Sequence, residues 1–291
     1  MASFAFAEYV STSLIFKLID SALTLIVSLL HSRPFTFLIG VDETPIIVHA
    51  AAIAKLSDPL SFLINGPMKE AQENEAKLSH LEVADFERIC EFAYRGEYQV
   101  PSPINSSDAA DGRDGDHPVD AGNEGEQKAQ STDASNTAVN LSQQFLAKPY
   151  LKSITPHASI KTLFSPQHQW DWHDDYTPVL LGHARLYTFG DEYLIPSLKN
   201  LALKKLHTTL DGYSSSYESR EAVVELARYA YDTNNTPDRV EGKMNPLREL
   251  VVEFIVLKIS DFKFFACHRE LLEEEGEYST DVMDTINYWL L

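Results

Sequence analysis

The chain has 291 residues, of which 44% are hydrophobic and 11% aromatic, proportions typical of a folded protein. Its formal net charge is −19, and the sequence contains no basic run. Direct binding to nucleic acid is therefore excluded, because such sites need clustered Lys and Arg to neutralise phosphates. The two cysteines, Cys90 and Cys267, are too few for a disulfide framework or a zinc site. We predict that both are buried in helices and that the protein is intracellular, in the cytoplasm or the nucleus.

The amino-terminal region, residues 1–31, contains the apolar run 14–30. This run is shorter than the roughly 20 residues of a membrane-spanning helix, and it includes Lys17 and Asp20. Residues 1–13 lack the basic residues that a signal peptide requires. We predict an amphipathic helix that packs on the first domain; the alternatives are a membrane or targeting segment and a disordered start.

Residues 32–100 have the pattern of a small α+β domain. Two β-branched and aromatic runs, 35–39 and 45–49, are separated by a five-residue loop and predict a hairpin. Helices are predicted at 50–55, 59–64 and 85–94, with a short apolar stretch at 78–81. The last helix is expected to pack Phe86, Ile89, Cys90 and Ala93 on the sheet. Phe92 lies about 200° around the helix from Tyr94, so we expect Phe92 to face partly outward or towards the amino-terminal helix.

Residues 101–178 are predicted to be a mostly disordered acidic spacer. The part from 101 to 145 is rich in Ser, Asp, Gly, Asn and Pro, and cannot bury enough apolar surface to fold. Its Asp-rich stretch, 108–116, lacks the ligand order and closing Glu of a calcium-binding loop. Near the end, 170–174 predicts a loop that docks its tryptophans on the second domain, or a short partner-binding motif. A metal site built from His168, His173 and the neighbouring Asp pair is the weaker alternative, and no metal ligand is assigned.

Residues 179–291 predict an all-helical domain. Apolar residues recur near a 3.6-residue period from Leu186 to Leu206, and Pro196 suits the first turn of a new helix. Further helices are predicted at 219–231 and from Pro246 onward. No strand alternation is visible in this half of the chain.

Three segments resemble the BTB/POZ domain of fungal proteins: SRPFTFLIG (32–40), PIIVHAAAIAKLSDPLSFLINGPMKEA (45–71) and LEVADFERICEFAYRGEY (81–98). Residues 183–210 resemble the helical extension that follows BTB domains in those proteins. The resemblance implies a protein-binding module that dimerises or recruits partners, with cullin-3 as one partner. The hydrophobic-x-Glu element of cullin-binding members falls on Met68-Lys69-Glu70.

By this resemblance Met68 would fill an apolar pocket and Glu70 would accept a charge-assisted hydrogen bond. The alternative is that Met68 covers the helix pair and Glu70 is solvated. Pro34 and Ala50 stand where many animal members of the family carry Asp and Lys. Because repressors of the family use those charged positions, this difference argues against a co-repressor function for this chain. The long spacer also departs from the cullin-binding members, where helices follow the BTB domain directly.

The sequence therefore predicts a non-catalytic protein-protein interaction module, with a ubiquitin-ligase substrate adaptor as its most specific form. The alternative is a transcription or chromatin regulator that acts through partner proteins without binding DNA. No nucleophile elbow, phosphate loop or HExxH motif is present, so no enzymatic activity and no cofactor are predicted. His49, at a strand end, is expected to be a hydrogen-bonded structural residue.

Overall fold

The computed structural model describes residues 27–105, 143, 145–152, 170–171, 174–274 and 276–290. They divide into two compact units. The first comprises the described residues up to Gln99 together with Glu192–Ile195, and the second comprises the remainder. The chain is α+β, as predicted, with a three-stranded sheet in the first unit and mainly helices in the second. Most of the predicted amino-terminal helix and of the predicted spacer lies outside the described residues.

The first unit contains β1 (Pro34–Ile39), β2 (Thr44–His49), α1 (Ala50–Ala54), α2 (Asp58–Asn65), α3 (Lys69–Glu73), β3 (Glu75–Leu78) and α4 (Val83–Arg95). The predicted hairpin is confirmed: β1 and β2 are antiparallel, with Phe35 opposite Val48. Its loop is four residues long, one fewer than predicted, and begins at Gly40, whose φ is +74°. β3 was not predicted. It lies parallel to β1, which gives the sheet order β2-β1-β3.

The core of the first unit lies between one face of this sheet and α4. Phe35, Phe37 and Ile39 alternate along β1 and are fully buried. On α4 the buried face is centred between Ile89 and Ala93, so it also includes Phe92. The first alternative for Phe92, that it faces partly outward, is therefore wrong; the second involves the predicted amino-terminal helix, most of which lies outside the described residues. Phe92 and Tyr94 do lie on different faces, but Tyr94 is the exposed residue and Cys90 lies half-buried at the margin.

The second unit contains β4 (Ile104–Asn105), a 3-10 turn (Pro149–Lys152), β5 (Asp174–Asp175), α5 (Thr177–Glu192), α6 (Pro196–Asp211), α7 (Tyr217–Tyr231), α8 (Pro246–Leu257), α9 (Ile259–Phe262), α10 (Ala266–Glu274) and α11 (Gly276–Leu290). The predicted starts at Pro196 and Pro246 are confirmed, and Asn245 caps α8 by accepting a hydrogen bond from the Leu247 amide. The described residues of 179–291 form helices, as predicted, apart from an isolated bridge between Val240 and Lys243. The two-residue antiparallel pair of β4 and β5 lies within the segment predicted to be a spacer.

A buried arginine joins three helices of the second unit. Arg248 is only 1% exposed, and its Nε–H donates to the Ala230 carbonyl at 3.0 Å and to Thr236 Oγ1 at 2.7 Å. The guanidinium also forms an ion pair with Glu277 and lies 4.6 Å from the centroid of the Tyr231 ring. Because so many donors are satisfied, this charge is stable in the interior, and we assign it a structural role.

Candidate protein-binding site

The two site residues predicted from the sequence lie where the chain leaves α2 and enters α3. Ser57 caps α2 by accepting a hydrogen bond from the Leu60 amide at 3.3 Å. The helix ends at Gly66, where an added Cβ would lie 2.3 Å from the Phe62 carbonyl oxygen, so only glycine fits this bend. The bend places Met68 at the N-cap of α3 and Glu70 in its first turn.

Met68 and Glu70 line the same open groove, which has a volume of about 460 Å³. Its walls are α2, the residues from Met68 through α3, and β3, with Tyr193 of the short segment Glu192–Ile195 completing them. All of these residues belong to the first unit. The structure thus brings the predicted pair together on one concave surface.

The groove combines exposed apolar side chains with a carboxylate. Met68 is 47% exposed and Phe62 is 56% exposed, which is high for large apolar residues. Glu70 is half-buried, and among the residues that the structure describes no side chain forms an ion pair with its carboxylate. Such a site offers an apolar anchor and one hydrogen-bond acceptor to a partner.

Both lysines that line the groove with Glu70 are paired with other carboxylates. Lys69 forms an exposed ion pair with Glu73 at 3.3 Å, and Lys77 pairs with Glu43 at 2.6 Å. The hydrogen bond from Lys77 to Glu43 raises the pKa of the Lys77 ammonium. A partner that binds Glu70 therefore has to supply its own donor.

Phe62 is a candidate site residue that the sequence analysis missed. In α2 the buried residues are Leu60 and Ile64, four apart, so Phe62 between them faces away from the core. An aromatic residue on the polar side of a short amphipathic helix was the signal available in the sequence. Only the adjacent groove gives it a functional meaning, because singly exposed apolar residues are common.

His49 is hydrogen-bonded at the strand end, as predicted. Its backbone amide donates to the Tyr94 hydroxyl at 3.0 Å, and its Nδ1 lies 2.9 Å from the same oxygen. The bond joins the end of β2 to α4. Cys90 and Cys267 are free thiols that are half-buried rather than buried as predicted. Burial, with a smaller effect of Glu87, raises the pKa of Cys90 to about 12.

The tryptophan that the structure describes in the 170–174 region docks on the second unit. Trp170 is 4% exposed, stacks on Tyr176 with ring centroids 4.1 Å apart, and donates its indole N–H to the Thr209 carbonyl at 2.7 Å. His168 and His173 lie outside the described residues. Within the described part of the chain, no group of three or more His, Cys, Asp or Glu side chains is arranged to hold a metal ion.

A scan against protein-family models finds no match for this chain, and a search of curated proteins finds no significant match either. Within the described ranges, no helix is both long enough and apolar enough to cross a bilayer.

Proposed function

We propose that the first unit is a BTB/POZ domain that acts by binding other proteins, and that its groove at Met68 and Glu70 binds the amino-terminal domain of cullin-3. The observation that carries the proposal is the meeting of these two residues, with Phe62, in one open groove. The acidic spacer and the helical domain would then connect this contact to a second, substrate-binding function.

The order of elements supports the BTB part of the proposal. The resemblance implies a hairpin ending in Val-His, a helix pair ending before Met68, and a closing helix. The structure contains β1 and β2, then α1 and α2, then α4 over the sheet. Residues 32–98 thus form one compact sheet-and-helix core, as a small protein-binding domain requires.

The chemistry of the groove supports the contact. An apolar anchor beside a charge-assisted hydrogen bond is the usual composition of an interface hot spot, where one residue can contribute about 2 kcal/mol or more. Met68 and Phe62 supply apolar area that a partner would remove from water. Glu70 supplies the acceptor for a donor from the partner.

Titration calorimetry of the full chain against the cullin-3 amino-terminal domain tests the proposal. We expect Met68→Asp to abolish binding, because it buries an unpaired charge in the interface. The variant is expected to fold, since Asp is a favoured N-cap residue and Met68 occupies the N-cap of α3. Glu70→Ala should weaken binding by about tenfold or less, because a half-exposed pair is screened by water and salt.

The matched control is Val41→Asp, the same change of an exposed apolar residue to an acid outside the groove. Val41 is 89% exposed in the hairpin loop and should leave the affinity unchanged. No measurable affinity of the wild-type chain would refute the cullin-3 proposal. Equal affinity of the wild type and Met68→Asp would keep the partner and refute this site.

A further inference from the structure

A short segment of the second unit, residues 145–152, is held mainly by side-chain contacts. The segment contains the 3-10 turn Pro149–Lys152. Phe145 is 3% exposed and stacks on the His207 ring, with centroids 4.2 Å apart. The Phe145 carbonyl accepts a hydrogen bond from His207 Nε2–H at 2.7 Å. The Phe254 ring also lies near Phe145, with ring centroids 6.0 Å apart.

Lys148 provides the second anchor, three residues after Phe145. Its ammonium lies 2.7 Å from a carboxylate oxygen of Glu249 and 2.7 Å from one of Glu253. Burial alone would lower the pKa of Lys148, but the hydrogen bonds to the two carboxylates outweigh it and the pKa is raised. The segment is thus bound as a peptide ligand would be, through one aromatic and one basic side chain.

The surface beneath the segment is suited to a cation. We call it the α6/α8 surface and define it by His207 of α6 and by Glu249, Glu253 and Phe254 of α8. Glu249 and Glu253 are four residues apart on one helix face, where two carboxylates repel each other unless a cation lies between them. Burial also raises the pKa of Glu253, which disfavours its charged form unless it is paired.

Lys148 leaves some hydrogen-bonding groups at this surface without a partner in the part of the chain that the structure describes. Lys148 bonds one oxygen of Glu253, while Glu253 Oε2 and the Tyr150 hydroxyl are buried with no hydrogen-bond partner among the described residues. A buried polar atom without a hydrogen-bond partner destabilises the folded state. An arginine has a planar fork of N–H donors that can bond both oxygens of one carboxylate, which a lysine cannot do. A ligand with arginine in this position would therefore fit better than the resident segment.

We propose that the α6/α8 surface is a recognition site for peptide segments of other proteins that carry an aromatic residue followed, three residues later, by arginine or lysine. Residues 145–152 occupy the site in cis and compete with such segments. This inference goes beyond the cullin-3 contact and is independent of it, since it concerns only the second unit.

The test uses a full-length Phe145→Ala/Lys148→Ala variant, which weakens the cis segment and leaves the α6/α8 surface intact. The probe is a fluorescent peptide of residues 143–152 (QQFLAKPYLK), followed by anisotropy. We expect the variant to bind the probe at least about tenfold more tightly than the wild type, because a tethered competitor has a high effective concentration. A probe carrying Lys148→Arg should bind more tightly still.

Leu146→Ala is the matched control, because Leu146 lies in the same segment but is 55% exposed. This variant should bind the probe as weakly as the wild type does. Equal binding of the probe by the wild type and the double variant would overturn the proposal, as would the absence of any preference for arginine.

A second measurement uses the wild-type chain and does not depend on the double variant folding. Saturating Lys148→Arg peptide should displace the cis segment and speed hydrogen exchange of its amides, including the Leu151 amide that is bonded to the Lys148 carbonyl. Exchange in α7 should not change. If the amides of 145–152 exchange only through global unfolding, the segment is a permanent part of the core, and the proposal would be overturned. Concentration-dependent dimerisation that protects the segment would identify a second copy as the occupant, and would overturn it as well.

Discussion

Phe86→Ala should remove a large part of the stability of the first unit. Phe86 is 1% exposed on α4, and its ring lies 4.9 Å from that of Phe37 at an angle of 49°. Burying such a side chain contributes about 1.5–3 kcal/mol, and a tilted aromatic pair adds about 0.5–1.5 kcal/mol. With the cavity that remains between α4 and the sheet, the expected loss is about 3–5 kcal/mol.

The assay has to report on the first unit specifically. The three tryptophans, at positions 170, 172 and 289, belong by sequence to the second unit, so tryptophan fluorescence would miss the change. Native-state hydrogen exchange of the β1 and β2 amides measures the free energy of opening directly. Phe62→Ala, at a 56% exposed aromatic residue of the same unit, is the control and should cost about 1 kcal/mol or less. A loss below about 1 kcal/mol for Phe86→Ala would mean that α4 packs on the sheet through a different face.

Three further changes test the interior. Arg248→Met should destabilise the second unit by about 3–5 kcal/mol in a denaturant titration followed by tryptophan fluorescence, because it removes the guanidinium that pairs with Glu277 and donates to the buried Ala230 and Thr236 carbonyls. Burial lowers the pKa of His268 below 6.5, so the unfolded chain takes up its proton first and stability should fall as the pH drops below about 6.5. His268→Gln should reduce this dependence of the unfolding free energy on pH. An unchanged dependence would contradict the assignment of the effect to His268. Cys90 is half-buried and its pKa is raised to about 12, so at pH 8 it should be alkylated much more slowly than an unperturbed cysteine, which mass spectrometry can follow.

The sequence predicted elements whose pattern is local. The hairpin followed from two short β-branched and aromatic runs separated by a loop, and α8 followed from Pro246 and the apolar residues after it. β3 was missed because it has four residues, and its parallel pairing with β1 joins segments far apart in the chain. Its alternation, buried at Ala76 and Leu78, is too short to stand out.

The error at Phe92 has a different physical cause. Helical periodicity shows which residues share a face. It does not show which residues at the two edges of a wide apolar face are buried. On α4 the edge with Phe92 and Asp85 is buried, and Cys90 at the other edge is half-buried. Met68 and Glu70 were found through the family resemblance, whereas Phe62 needed the groove itself. The contact of Phe145 with His207, 62 residues away, has no local signal at all.

Hydrogen exchange with a bound partner tests most directly whether the groove at Met68 and Glu70 is a protein-binding surface. The full chain would be measured with and without saturating cullin-3 amino-terminal domain. We predict slower exchange in α2 and α3, which carry Phe62 and Glu70, and no change in β2 on the opposite edge of the sheet. Binding that leaves α2 and α3 unprotected, or that protects β2 instead, would contradict the account.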